Sequence, residues 1–171
     1  MTQSIEVDSW RFLPPRLARL LQARLAASPP VTAVPFVPWA GPLAAARIAL
    51  LSTAGISCPP DPPFDMDGER GNPMWGDPSW RRIPANATAD TVAINHLHID
   101  TSYARRDLNV VLPLQRLAEL VATGEVGAVA PTHYAVMGFQ LDPTAQLTES
   151  APAIAAAMRA DGVHGAVLAP V

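Results

Sequence analysis

Ile48-Ala-Leu-Leu51 is an unbroken apolar run that breaks directly into Ser52-Thr-Ala-Gly55. A strand with one wet face alternates apolar and polar side chains. A continuous apolar run closed by small residues and glycine suits a strand buried on both faces. Such a strand needs covering layers above and below, which a parallel sheet obtains from the helices that connect its strands. The chain is therefore expected to be α/β, with a three-layer open, mainly parallel sheet and flanking helices. The loop after such a strand can hold a ligand at its backbone amides, which makes Thr53 a candidate substrate-binding residue. The three-glycine dinucleotide fingerprint does not occur there.

The segments on either side fit this plan. Pro15 suits a first helical position, and Leu17, Leu20, Leu21 and Leu25 recur at helical spacing, so a surface helix is expected to end at Ser28-Pro-Pro30. Pro35, Pro38 and Pro42 make 31–42 an extended arm and not a central strand. These pieces form a predicted N-terminal region, 1–44, ahead of an α/β domain over 45–171. Residues 58–89 read as a long irregular loop, rich in turn residues and pinned by Phe64, Met66, Trp75, Trp80 and Ile83. Asp61, Asp65 and Asp67 resemble a calcium loop only loosely. Pro113 opens a predicted helix over Leu114–Ala122 that Gly124 closes. Val126–Ala130 reads as a short buried strand, Ser150-Ala-Pro as a cap and helix start, and Val163–Ala169 as a further strand. That strand runs to Pro170-Val171, where the chain stops without a following loop or helix. Either this is an edge strand, or the domain is incomplete at its C-terminus.

Composition excludes several classes. All 12 basic residues are arginine and the net charge is −3, which argues against general phosphate-backbone binding. Cys58 is the only cysteine, so neither an intrachain disulfide nor a cysteine-based zinc site can form. No apolar run approaches the roughly 20 residues of a membrane helix, and the first residues do not resemble a signal peptide. A cytoplasmic protein without membrane or nucleic-acid partners is expected.

The chemistry is expected around Val92–Tyr103. His96, His98 and Asp100 alternate, so an extended chain turns them to one face where a strand gives way to a loop. His98 and His96 are candidate catalytic imidazoles and Asp100 their orienter. His133 joins them as a catalytic candidate, and Tyr134 as a substrate-binding one, because both follow the predicted strand ending at Ala130. Arg105 and Arg106 can fork a substrate carboxylate, or simply pair with Asp107 in a solvated turn. His164 lies inside a strand pattern and reads as structural. No resident metal is assigned. A metal hydrolase built on His96, His98, Asp100 and His133 stays open as an alternative.

Several pieces carry a resemblance. They are Val7-Asp-Ser-Trp-Arg-Phe-Leu-Pro14, Ile48-Ala-Leu-Leu-Ser-Thr-Ala-Gly55, Asp61-Pro-Pro-Phe-Asp65, Gly76-Asp-Pro-Ser-Trp-Arg-Arg-Ile-Pro84, His96-Leu-His-Ile-Asp-Thr101, Asp107-Leu-Asn-Val-Val-Leu-Pro-Leu-Gln-Arg-Leu117, Ala130-Pro-Thr-His-Tyr134 with Met137-Gly138, Asp161-Gly-Val163 and Leu168-Ala-Pro-Val171. In this order they resemble the selenoprotein B family of glycine, sarcosine, betaine and D-proline reductases. The resemblance implies an oxidoreductase subunit in which a selenocysteine or cysteine attacks a substrate and a disulfide closes the cycle. Pyruvoyl-type partner subunits and thiol reductants are implied with it. The family's redox pair directly follows a strand ending like Ala169-Pro-Val171, so it is expected beyond Val171, with no cofactor in this chain. Cys58 does not stand at that motif. Selenocysteine is encoded by a codon otherwise read as stop, so the expectation is a selenoprotein truncated just before that pair, inactive alone. A binding remnant that kept only the scaffold is the further alternative.

Overall fold

The structure is a computed structural model that describes residues 8–27, 37–72, 75–138 and 140–171. It groups into two units, Met1–Trp39 and Ala40–Val171. In the first, Asp8 caps a short 3-10 turn by accepting the Trp10 amide, and helix α1 spans Pro15–Ala27 with proline at its first position, where a missing amide is tolerated. Val7, the helix stop at 28–30 and the arm over 31–36 lie outside the described residues.

The second unit is built on strand β1, Arg47–Ser52. Along one edge β1 pairs in parallel with β7, Gly165–Ala169, over Ile48–Ser52. Along the other edge it pairs in parallel first with β5, Ala128–Val129, and then with β6, Thr132–Val136. Between those pairings β1 advances from Ile48 to Leu51 while the facing chain advances from Val129 to Tyr134, so the facing chain bulges at Pro131. A bulge leaves a strand amide without its carbonyl. Here the Leu50 amide donates to Nδ1 of His133 instead, at 2.9 Å. His164 does the same at the other end of β1. Its Nδ1 accepts the Arg47 amide, and its own amide donates to the Arg47 carbonyl.

The architecture is α/β with a mostly parallel sheet. Ile48 and Leu50 join a core with Ala104, Leu114 and Leu117, from the helices Thr101–Arg106 (here α3) and Leu114–Ala122 (α4). On the opposite face Leu51, Val136 and Leu168 look toward Ile154 and Met158 of helix α5, Ala151–Ala160. Alternate residues of one strand thus serve both layers. Gly124, at φ 78°, follows the last turn of α4 as expected.

Four local expectations change. The segment 58–89 is not a plain loop: it holds a six-residue helix α2, Met66–Gly71, and strand β3, Trp80–Pro84, antiparallel to β6. Only Ile83 of β3 is fully buried, and proline closes it, so it carries little strand signal, as an edge strand tolerates. His133 and Tyr134 lie inside β6 and not beyond a strand end, because the chain re-enters the sheet directly after Pro131. The extended part of the central stretch is brief: β4, Ala93–Ile94, pairs with β2, Ile56–Ser57, and the chain then bends before His98. Ser150 is no cap. It is the last residue of a π-helical turn over Gln146–Ser150, in helical geometry, and its hydroxyl donates to the Pro78 carbonyl at 2.6 Å.

Candidate functional site

The carboxyl ends of β1 and β6 meet at Gly55. Its amide donates to the Val136 carbonyl, and its carbonyl accepts the Asn95 amide. Gly55 takes φ 62°, and a Cβ there would lie 2.3 Å from the Asn95 carbonyl oxygen. Only glycine allows both the left-handed turn and this approach. Asn95 also accepts the Ser57 hydroxyl, so the chain is fastened one residue before His96.

His96 is nearly buried, and its Nδ1 accepts the backbone amide of His98 at 3.1 Å. Its proton therefore stands on Nε2 when the ring is neutral. Burial first, and then the neighbouring His98, lower its pKa, against an opposing pull from Glu69. The two rings meet edge to face with centroids 5.9 Å apart. Nε2 of His98 lies 2.6 Å from Oε1 of Glu69. The His98 side chain is 52% exposed and that of Glu69 only 1%. The second carboxylate oxygen, Oε2, is buried and has no hydrogen-bond partner among the described residues.

Glu69 is delivered by two proline-containing segments that clasp each other. Asp65 caps α2 by accepting the Gly68 amide, and its own amide donates to the Asp77 carboxylate. Arg81 donates from Nε to the Pro62 carbonyl at 2.7 Å and lies over the Phe64 ring at 4.4 Å. Burial pushes the Asp77 carboxyl up, but hydrogen bonds from the Ser79 hydroxyl and from the Asp65 and Ser79 amides, with the Arg81 charge, hold it below the usual range. A Cβ on Gly68 would lie 2.6 Å from the Trp75 ring, so glycine lets α2 seat against that indole just before Glu69.

The other predicted residues are distributed elsewhere. His133 is fully buried, its pKa pushed down to about 4 by burial, and its Nε2 has no hydrogen-bond partner among the described residues. Tyr134 is fully buried beside Trp80; burial, then Asp161, raise its pKa against Arg82. Asp100 caps α3 by accepting the Ser102 amide, a bond that lowers its pKa. Arg105 and Arg106 occupy the last turn of α3. The Arg105 Nε donates to the Thr101 hydroxyl, while Arg106 stacks over Tyr103 and lines a cleft with Asp90 and Asp107. The Thr53 hydroxyl oxygen accepts the Val171 amide at 2.8 Å, at the carboxyl end of β7. The structure thus joins His96 to His98, adds Glu69, and leaves Asp100, His133, Tyr134 and the arginines in other contacts. Among the described residues no three or more His, Cys, Asp or Glu side chains gather as a metal site.

By class, then, this is an α/β domain that presents a carboxylate–imidazole pair next to the carboxyl ends of its parallel strands, a usual place for ligands in such sheets. The chain belongs to the glycine/sarcosine/betaine reductase selenoprotein B family, whose model matches residues 23–171. It is 27% identical over 140 residues to the D-proline reductase subunit gamma of Acetoanaerobium sticklandii, covering 81% of this chain and 54% of that protein. It is 31% identical over 135 residues to the glycine reductase complex component B subunit gamma of Carboxydothermus hydrogenoformans, covering 79% of this chain and 30% of that protein. The chain therefore spans about half the length of the first relative and under a third of the second. No solved structure gives a significant match. Among the described residues, no helix is long and apolar enough to cross a membrane.

Proposed function

We propose that this chain is part of a reductase-complex subunit that reduces glycine-, sarcosine-, betaine- or D-proline-like substrates with a disulfide as the oxidised partner. It supplies the scaffold and the proton-handling imidazoles, and a selenocysteine or cysteine pair outside residues 1–171 supplies the electrons. The observation that carries this reading is the half-exposed His98 held by a buried carboxylate, in a chain of this family. An imidazole can take the proton of a thiol or selenol near neutral pH and deliver it to a leaving group. Cys58 is a poor candidate for the electron carrier. Burial and the charge of Asp61 raise its pKa, which disfavours the reactive thiolate. Pyruvoyl-type partner subunits and a dithiol reductant complete the proposed assembly.

The test extends this chain with a selenium- or cysteine-bearing C-terminal segment, combines it with partner subunits, and follows substrate-dependent dithiol oxidation with each of the four substrates. Turnover of at least one is expected, falling about 100-fold or more in His98→Gln, the usual scale for a lost acid–base group. No turnover of any substrate with an intact redox pair refutes the reductase assignment. Full activity in His98→Gln refutes the role of the imidazole.

A further inference from the structure

We infer that Glu69 is a positioning residue that fixes the tautomer of His98, so that the neutral rings of His98 and His96 both carry their hydrogen at Nε2. The inference deepens the proposed function and rests on the reading of this site as its proton-handling element.

The tautomers follow from who holds each ring. His96 gives Nδ1 to the His98 amide, so its neutral ring carries hydrogen at Nε2. His98 instead has Nε2 against Oε1 of Glu69 at 2.6 Å, short for a nitrogen–oxygen contact and typical of charge assistance. A carboxylate accepts, so Nε2 donates and the neutral His98 ring carries its hydrogen there. Burial of Glu69 serves this role, because a carboxylate shielded from water is not diverted to competing donors. Among the described residues its second oxygen has no hydrogen-bond partner.

The test is nitrogen NMR of the 15N-histidine-labelled chain at mildly alkaline pH, where ring-nitrogen shifts report the tautomer. Wild type is expected to show both His96 and His98 protonated at Nε2, with the His98 Nε2 proton slow to exchange. Glu69→Met, which removes the acceptor at similar length, should lose the slow proton and shift the His98 tautomer ratio toward Nδ1–H by about tenfold, the scale of one charge-assisted bond. Glu69→Gln, nearly isosteric, should fall between, and His96 should not change in either. Wild-type His98 protonated at Nδ1, or a ratio unmoved by Glu69→Met, overturns the inference. If Glu69→Met does not fold, the wild-type tautomer and the Gln variant still decide it. No substrate, partner or redox pair is involved. Inactive enzyme with the expected tautomers sinks the reductase reading alone, and wrong tautomers sink this one alone.

Discussion

Acidification should destabilise this protein through His133 before most of its carboxylates titrate. The ring is fully buried, its Nδ1 replaces the carbonyl missing opposite Leu50, and it stays neutral to about pH 4 against 6.5 for the free side chain. Above 6.5 the imidazole is neutral in both folded and unfolded chains and contributes no pH dependence. As pH falls below 6.5 the unfolded chain takes the proton and the folded one does not, so stability drops until about pH 4. Between about pH 7.5 and about pH 4.5 the linked loss is about 2.5 kcal/mol. The control is His133→Asn, whose side-chain carbonyl can still accept the Leu50 amide but does not titrate. Urea unfolding of both proteins at both pH values gives a double difference in which every other titrating group cancels. Wild type should lose about 2.5 kcal/mol more than the variant on acidification. A double difference below about 0.5 kcal/mol would refute the claim that a neutral imidazole is built into the sheet.

Two further outcomes follow from the same geometry. Gly55→Ala should destabilise by about 3 kcal/mol or more in urea unfolding, since it combines left-handed strain with a clash against the Asn95 carbonyl, whereas Gly124→Ala, equally left-handed but with open space around it, should lose only about 1 kcal/mol. Equal losses would show that the Asn95 contact does not fix the turn. Cys58 should react with iodoacetamide at near-neutral pH more slowly than free cysteine, because burial and Asp61 raise its pKa; a rate matching or exceeding free cysteine would reopen a redox role for it.

Much of the scaffold was legible in the residues themselves. The apolar run into Ser52-Thr-Ala-Gly55 marks β1, the proline start marks α1, and the leucine spacing with Gly124 marks α4, because each is set by burial periodicity or a local backbone limit. The pairing of His96 with His98 was also within reach, since the two are close in sequence.

Other features depend on residues far apart in the chain. The proton on His98 is governed by Glu69, which stands 29 positions away and is brought there by the Asp77–Arg81 clasp on Asp61-Pro-Pro-Phe-Asp65. His133 looks like a catalytic imidazole from its neighbours, yet Leu50, 83 positions away, makes it a member of the β ladder. Local sequence determines which backbone a segment can adopt and which face it buries. The contacts that give a histidine its role belong to whichever distant groups the packed sheet leaves without a partner, and only the tertiary structure decides those.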